Sequence, residues 1–305
     1  MRIAVKVLKI IGIAILVIIV LLAILIFRIF TAPMVPKDYT KTVETGGEIE
    51  AAYMAAGQYQ VKHIEAEAPG DWKKFAAYYP AGLEETESTF PVVVFANGTG
   101  VGASRYKALF QHLASWGFIV LGNEDPSTCT GASADATLTW LLEENDDPDS
   151  VFYQKVDAGR VGISGHSQGG VAVFNAVSQQ PHGEMYACAV SLSPTDWELA
   201  TAIGLNYEPS KMSVPTLILA APENDVIAPE GVKALSGAIP AETVAALRSG
   251  ADHGKMLYCA DGYVTAWFMW RLQGDQDAAG AFLGAGAEIL SNPLYQGQQT
   301  TARSG

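Results

Sequence analysis

The sequence predicts an α/β fold in which helices cover both faces of a mostly parallel central sheet. From Pro91 onward, apolar runs of strand length alternate with segments of helical periodicity. Runs such as PVVVFANG and VPTLILAAPEND are continuously apolar, which is typical of parallel strands buried on both faces. The chain has 305 residues, enough for one large domain of this kind.

The predicted elements follow one another along the chain. Residues 43–80 contain two weaker strand patterns, YQVKHIEAEA and KKFAAYYP. PVVVFANG is the first strong strand. RYKALFQHLASWG has apolar residues at helical spacing and is stopped by Gly117, so it is a predicted helix. FIVLGN is the next strand, and ASADATLTWLLEEN is a helix whose polar, acidic start suits a helix N-terminus.

The second half of the predicted domain repeats this alternation. GRVGISG is a strand, and GGVAVFNAVSQQ is a helix ended by Pro181. YACAVSLSP and VPTLILAAPEND are further strands, and we expect TVAALRSGA to be the last. YVTAWFMWRLQG is expected to close the chain as an apolar helix. In such sheets, sites form where the strands end at their carboxyl termini.

The N-terminal segment predicts a membrane anchor. Residues 10–27 carry no charge, and as a helix they would span roughly 27 Å, close to the thickness of a bilayer's apolar core. A cleaved signal peptide is the alternative, but RIFTAPMVPK contains no clear cleavage site. We therefore expect an anchor at residues 1–32, a linker at 33–42 and a catalytic domain at 43–305. Basic residues before the span place the catalytic domain outside the cytoplasm; secretion is the alternative.

Composition restricts the partners. The formal net charge is −13, which argues against nucleic-acid partners because those need concentrated Lys and Arg. The cysteines, Cys129, Cys188 and Cys259, show no metal-binding spacing, and an external location would permit one disulfide among them. We expect no metal, no cofactor and a monomer.

One short motif indicates chemistry. GHSQG, residues 165–169, is a G-x-S-x-G pattern between a predicted strand and a predicted helix, the context of a nucleophile elbow. Glycine at Gly165 and Gly169 permits a turn too sharp for side chains at both places. Ser167 would then be held in a strained conformation with its hydroxyl exposed. An incidental serine in a Gly-rich turn is the alternative.

A serine nucleophile needs a base and an acid, in the chain order Ser, acid, His in this context. Asp225 lies just after a strand in VPTLILAAPENDVIAP, and His253 is the histidine that follows it. The weaker candidates for the acid are Glu223, Asp196 and Asp252. The other histidines are expected to be polar, half-buried or loop residues: His63, His112 and His182.

Backbone amides complete the predicted site. The Gln168 amide lies at the start of the helix after the serine, where it could stabilise a developing oxyanion. The loop FANGTGVGAS could supply a second amide, with Thr99 as the candidate donor. That loop lacks the glycine spacings of nucleotide-binding motifs, so nucleotide binding is not predicted. His166, beside the serine, is expected to form a wall of the pocket.

Together GHSQGG, VPTLILAAPENDVIAP, GADH and ANGTG…HLASWGFIV resemble the α/β-hydrolase family of bacterial cutinases, polyester (PET) hydrolases and related dienelactone-hydrolase-like or chlorophyllase-like esterases. The resemblance covers roughly residues 75–275. It implies the α/β-hydrolase fold and hydrolysis of small or polymeric esters. Ser167 is implied as nucleophile, Asp225 as acid and His253 as base, with the Thr99 and Gln168 amides as the oxyanion hole.

The sequence also departs from that family. Thr99 and Gln168 stand where polyester hydrolases usually have an aromatic residue and a methionine, which makes the pocket more polar. Trp197 is offset by two positions from the family's aromatic clamp and is either a substrate-binding residue or packing. Between the strands ending near Pro194 and beginning near Val214 there is room for a short helix and a loop but no cap domain. We expect an open cleft rimmed by Thr99, His166 and Trp197.

Other functions remain open on sequence grounds. An acyltransferase or a peptidase could use the same three residues, and a non-catalytic surface binding protein could use the same scaffold.

Overall fold

The computed structural model of the protein describes residues 15–22 and 31–301. The chain divides into two units, Met1–Met34 and Val35–Gly305. In the first unit residues 15–22 are helical, and their side chains are exposed. Most of the anchor predicted at residues 1–32 lies outside the described residues. Within the described ranges, no helix is both long and apolar enough to cross a membrane.

A nine-stranded sheet forms the centre of the second unit, in the order β1-β2-β4-β3-β5-β6-β7-β8-β9. Strands β3 to β8 pair in parallel, whereas β1, β2 and β9 pair antiparallel at the two edges. The strands are β1 (Val61–Glu67), β2 (Lys74–Pro80), β3 (Phe90–Ala96), β4 (Ile119–Asn123), β5 (Val156–His166), β6 (Tyr186–Leu192), β7 (Thr216–Ala220), β8 (Thr243–Arg248) and β9 (Tyr295–Thr300).

Helices cover both faces of this sheet, as the alternating pattern predicts. They are α1 (Tyr39–Thr42), α2 (Glu48–Met54), α3 (Lys107–Ser115), α4 (Ala132–Asp146), α5 (Gln168–Gln179), α6 (Trp197–Ala202), α7 (Pro229–Ala238), α8 (Met256–Cys259), α9 (Asp261–Gln273), α10 (Gln276–Ala279) and α11 (Glu288–Ser291). Helix α5 packs on β5 and β6, and α9 also packs on these two strands. Their apolar side chains, including Phe174, Trp267 and Phe268, are fully buried.

The two ends of the sheet differ from the sequence prediction. The last strand is β9 rather than TVAALRSGA, and α9 is followed by two short helices instead of closing the chain. Strand β9 has the sequence YQGQQT. Its side chains are mostly polar and at least partly exposed, because it lies at the edge of the sheet, and its sequence pattern is therefore that of a loop. The predicted linker also differs, since Val35 and Tyr39 are buried at 1% exposure.

A buried carboxylate joins the two ends of the second unit. Glu50 in α2 is fully buried, and its oxygens accept hydrogen bonds from Asn292 Nδ2 and Tyr295 Oη, each at 2.8 Å. The Glu50 carboxylate also accepts from the Gly46 amide at 2.8 Å. In return, the carboxylate of Glu288 accepts from the backbone amides at the start of α2. Burying such a charge is tolerable only because these donors satisfy it.

The three cysteines form no disulfide in the described part of the chain. Cys129 and Cys188 are buried, and Cys259 is partly exposed. Burial raises the pKa of all three thiols, so they act as small packing residues rather than as reactive thiolates.

Candidate active site

Ser167 lies in a tight turn between β5 and α5. Its φ is 61° and its ψ is −121°, a backbone conformation that residues other than glycine rarely adopt. The flanking glycines are required by close backbone approaches. A Cβ on Gly165 would overlap the carbonyl of Gly169, and a Cβ on Gly169 would overlap the carbonyl of Ala96. The sequence motif therefore forms a nucleophile elbow at the carboxyl end of a central strand.

His253 and Asp225 reach this serine from the loops after β8 and β7. The Ser167 hydroxyl lies 3.0 Å from His253 Nε2, and His253 Nδ1 lies 2.8 Å from Asp225 Oδ1. The His253 amide also donates to the Asn224 carbonyl at 3.1 Å, which ties the two loops together. The arrangement can pass a proton from the serine hydroxyl to the imidazole, with the carboxylate fixing the imidazole tautomer.

Asp225 is held as a carboxylate by four donors. Burial raises its pKa, but hydrogen bonds from His253, Ser193 and the amides of Ala221 and Val226 outweigh burial and hold the pKa below its usual value. Its side chain is only 2% exposed, while that of His253 is 27% exposed. The acid is thus sealed from water, and the base remains open to a substrate.

His166 does not rim the cleft as the sequence analysis expected, because it is 2% exposed. As the last residue of β5, it turns its ring inward against that of His253, with ring centroids 4.5 Å apart. Its Nε2 donates to the His253 carbonyl at 2.7 Å. Burial, followed by the charge of His253, lowers its pKa to about 4, so His166 is neutral near pH 7.

Two backbone amides near the elbow donate no hydrogen bond within the described residues. The Gln168 amide is the first of α5, where no intrahelical acceptor exists. In the FANGTGVGAS loop, the amides of Gly98, Gly100 and Val101 donate within the protein. Thr99 is exposed, and its amide has no acceptor among the described residues. A Cβ on Gly98 would lie 3.6 Å from Ser167 Cβ, so this loop passes beside the serine.

Trp197 begins α6, in the segment between β6 and β7, and is 45% exposed. This segment contains only the six-residue α6 and one short 3₁₀ turn, Pro209–Lys211. Trp197 lines a cleft of about 710 Å³ together with Asp225, Val226 and Glu230. The cleft thus lies beside the loop that carries Asp225, and Ser167 and His253 are not among the residues that line it.

The weaker candidates for the acid lie elsewhere. Asp196 caps α6 by accepting from the Glu198 and Leu199 amides. Asp252 accepts from the Lys255 amide at 2.9 Å, and Glu223 is exposed. The remaining histidines belong to other contacts: His63 stacks on Tyr78, His112 pairs with Asp261, and His182 contacts Asp135.

Sequence reasoning missed Ser193, whose hydroxyl donates to Asp225 Oδ2 at 2.6 Å. The available signal was its position, directly after β6 at the same sheet edge as Ser167, Asp225 and His253.

Comparisons with known proteins agree with this geometry. A family model described as PET hydrolase-like matches residues 38–242. The bis(hydroxyethyl) terephthalate hydrolase of Streptomyces coelicolor is 31% identical over 157 residues, covering 50% of this chain and 44% of the relative. Cutinase 2 of Thermobifida cellulosilytica is 30% identical over 158 residues, covering 50% of this chain and 53% of the cutinase. Chlorophyllase-1 of Citrus sinensis is 31% identical over 133 residues, covering 39% and 38%.

The chain spans about half the length of the cutinase and terephthalate-ester hydrolase relatives that it matches. The family match includes Ser167 and Asp225 and ends at residue 242, before His253. It extends over most of the unit Val35–Gly305. The chain therefore belongs to the PET hydrolase-like family.

Proposed function

We propose that the protein is a serine hydrolase that cleaves carboxylic esters through an acyl-enzyme on Ser167. The observation that carries this proposal is the continuous chain of contacts from the Ser167 hydroxyl through His253 to the Asp225 carboxylate. Membership of the PET hydrolase-like family supports an ester as the bond that is cleaved. The named relatives include a terephthalate-ester hydrolase and a cutinase.

In the first half of the reaction, Ser167 Oγ bonds to the ester carbonyl carbon while its proton passes to His253 Nε2. The carbonyl oxygen becomes an oxyanion. When the carbonyl re-forms, the bond to the alcohol oxygen breaks, and the alcohol leaves with the proton from His253. In the second half, His253 takes a proton from water, whose oxygen attacks the acyl carbon, and Ser167 Oγ leaves with that proton. Asp225 stabilises the imidazolium in both halves.

The amides of Gln168 and Thr99 are the proposed oxyanion hole. Gln168 directly follows the serine, and Thr99 adjoins Gly98, whose loop passes beside it. Neither amide donates to another group of the described chain. The partial positive charge at the start of α5 adds to their effect. Donors of this kind, fixed before the reaction, stabilise the oxyanion without reorganisation.

Trp197 is the proposed substrate-binding side chain, because it is exposed and lines a cleft beside the loop that carries Asp225. Its ring would pack against the apolar part of an ester. Trp197→Ala should raise KM for an aromatic ester more than for acetate esters. The exposed Leu199 of the same helix offers a control, since Leu199→Ala should leave both KM values unchanged.

We also propose that residues 1–32 anchor the protein to a membrane, on the strength of the uncharged run at residues 10–27. The full-length protein should then fractionate with membranes and resist extraction by high salt. A chain starting at residue 33 should be soluble and active, because it retains the unit Val35–Gly305. A shortened soluble form recovered from cells would support secretion instead.

Labelling with a fluorophosphonate probe tests the main proposal. The probe should label the wild-type protein and leave Ser167→Ala unlabelled, and only the wild type should hydrolyse p-nitrophenyl esters. A protein that is not labelled would be a binding protein on a hydrolase scaffold. Transfer of the acyl group to an added alcohol in preference to water would identify an acyltransferase, and cleavage of peptides in preference to esters would identify a peptidase.

A further inference from the structure

Ser193 is an unusual residue at the same sheet edge. It follows β6 directly, is fully buried and has a φ of 41°. A residue with a Cβ is conformationally strained in this left-handed region. The fold therefore maintains a strained serine at a position where glycine would be unstrained. The hydroxyl is the functional group that serine adds and glycine lacks.

The Ser193 hydroxyl has a specific acceptor. It donates to Asp225 Oδ2 at 2.6 Å, a length typical of a strong hydrogen bond to a carboxylate. The Ser193 amide continues the sheet by donating to the Leu219 carbonyl at 2.8 Å. The backbone of Ser193 is thus fixed by β7, and its side chain is fixed by the loop that follows β7.

The neighbouring residue contacts the serine of the elbow. The Leu192 carbonyl accepts a hydrogen bond from the Ser167 amide at 2.9 Å. Two consecutive residues, Leu192 and Ser193, therefore hold the backbone of Ser167 on one side and the carboxylate of Asp225 on the other. No other pair of consecutive residues in the described chain makes both of these contacts.

The four donors to Asp225 divide evenly between its oxygens. Oδ1 accepts from His253 and from the Val226 amide, at 2.8 and 2.7 Å. Oδ2 accepts from Ser193 and from the Ala221 amide, the latter at 2.7 Å. Because both oxygens are held, the carboxylate plane is fixed. Without the serine hydroxyl, one amide alone would hold Oδ2, and the carboxylate could rotate away from the line to His253.

We propose that Ser193 is a positioning residue that aligns the carboxylate of Asp225 with His253 and thereby sets how readily Ser167 is deprotonated. The inference rests on the proposed function, because it assigns Asp225 and His253 to the activation of Ser167. A serine that merely fills the turn would affect stability without affecting that activation.

Two substitutions and one matched control separate these roles. Ser193→Ala removes the hydroxyl and keeps the Cβ, whereas Ser193→Gly removes the hydroxyl and also the strain. Ser191→Ala is the control, since Ser191 is equally buried, in the strand that Ser193 follows, but donates to the Gly170 carbonyl at 3.0 Å. Melting temperatures verify that each variant folds, and Ser193→Gly should melt no lower than Ser193→Ala.

The rate of Ser167 labelling by a fluorophosphonate is the first readout, because it does not depend on the choice of substrate. In that step the oxygen–phosphorus bond forms, fluoride leaves and the hydroxyl proton passes to His253. Both Ser193 variants should be labelled about tenfold more slowly than the wild type, as expected for loss of one hydrogen bond to a charged group. For p-nitrophenyl acetate, kcat should fall by a similar factor with KM unchanged, and Ser191→Ala should match the wild type.

A double-mutant cycle shows whether the effect passes through Asp225. In an Asp225→Asn background, Ser193→Ala should cause no further slowing. The inference would be overturned if Ser193→Ala slowed labelling equally in the wild-type and Asp225→Asn backgrounds, or if the folded Ser193 variants were labelled at the wild-type rate. Either outcome would leave the proposed function intact. If the wild-type protein is not labelled, the proposed function fails, and the inference fails with it.

Discussion

The Nε2 of His166 lies 2.7 Å from the carbonyl oxygen of His253, and the planes of the two imidazole rings are tilted by 36° to one another. The residue before the serine thus holds the backbone of the residue proposed as its base. The proposed role of His253 depends on a neutral His166, because a second positive charge beside His253 would oppose the formation of the imidazolium.

His166 should make the protein less stable in acid. Its pKa falls from an ordinary 6.5 to about 4 on folding, so between these values the unfolded chain binds a proton that the folded chain does not. The free energy of unfolding should be highest above pH 6.5 and fall by up to about 1.4 kcal/mol per pH unit between pH 6.5 and about pH 4. Urea unfolding at pH 7 and pH 5 would measure this loss, and His166→Gln should remove it.

Substitutions of His166 also test its hydrogen bond to the His253 carbonyl. Glutamine keeps an N–H donor for the His253 carbonyl, but leucine leaves that carbonyl unpaired. At pH 7, His166→Leu should therefore be less stable than His166→Gln by about 1–3 kcal/mol. Equal stability of the two variants would show that ring packing, not the hydrogen bond, is what matters.

Asp225→Asn should lower kcat by a factor on the order of 10³ to 10⁴, because the amide cannot maintain the imidazole tautomer or stabilise the imidazolium. Asp252→Asn is the matched control: Asp252 adjoins His253 in sequence, but its carboxylate binds Lys255. Its kcat with a p-nitrophenyl ester should stay within about twofold of the wild type. A larger loss in Asp252→Asn than in Asp225→Asn would mean that the acid is misassigned.

His112 should have the opposite pH dependence from His166. Its Nδ1 lies 2.6 Å from Asp261 Oδ2, which also accepts from the Tyr39 hydroxyl. Burial lowers the pKa of His112, but the charge and hydrogen bond of Asp261, together with hydrogen bonds to the backbone of Ala55 and Met54, outweigh burial and raise the pKa above 6.5. The contribution of the His112–Asp261 pair to the free energy of unfolding is complete below pH 6.5. It is lost as the pH rises through the folded-state pKa of His112.

Chemical unfolding between pH 6 and 9 would measure that loss, which should be absent in His112→Gln. Asp261→Asn gives a sharper comparison. With the carboxylate charge removed, burial dominates the pKa of His112, so the pH slope should reverse sign. An unchanged slope in Asp261→Asn would show that the ion pair does not govern the titration.

Activity should rise smoothly with the concentration of a dissolved short-chain ester and continue without a jump past its solubility limit. The physical reason is the short segment between β6 and β7, whose α6 has six residues and leaves Trp197 exposed. Such a segment gives a lipid surface no lid to open. A sharp increase in rate at the solubility limit of p-nitrophenyl butyrate would contradict this view of the cleft.

Strong local patterns made the centre of the fold predictable. Strands β3, β4, β6, β7 and β8 are apolar for most of their length, and the glycines around Ser167 mark the elbow directly. The chain order of Ser167, Asp225 and His253 then identified three residues that the structure brings into contact. Each of these signals is carried by several residues at fixed spacing.

The missed features depend on contacts between distant residues. Strand β9 exists because its backbone pairs with β8, while its side chains are mostly polar. The burial of His166 depends on which way the last side chain of β5 points, which a five-residue motif does not fix. The role of Ser193 rests on a single hydroxyl, and Asp225 lies 32 positions further along the chain.

The buried Glu50 determines when the domain can become complete during synthesis. Its donors Asn292 and Tyr295 leave the ribosome after almost every other strand and helix of this unit. Until they emerge, the Gly46 amide is the one of these three donors that the Glu50 carboxylate has, so α2 should dock less stably on a partial chain. The sheet edge at β8 also stays open until β9 is made. The fold of this unit therefore closes only once residues 292–300 have emerged, and premature termination before residue 292 should leave an incomplete, aggregation-prone intermediate.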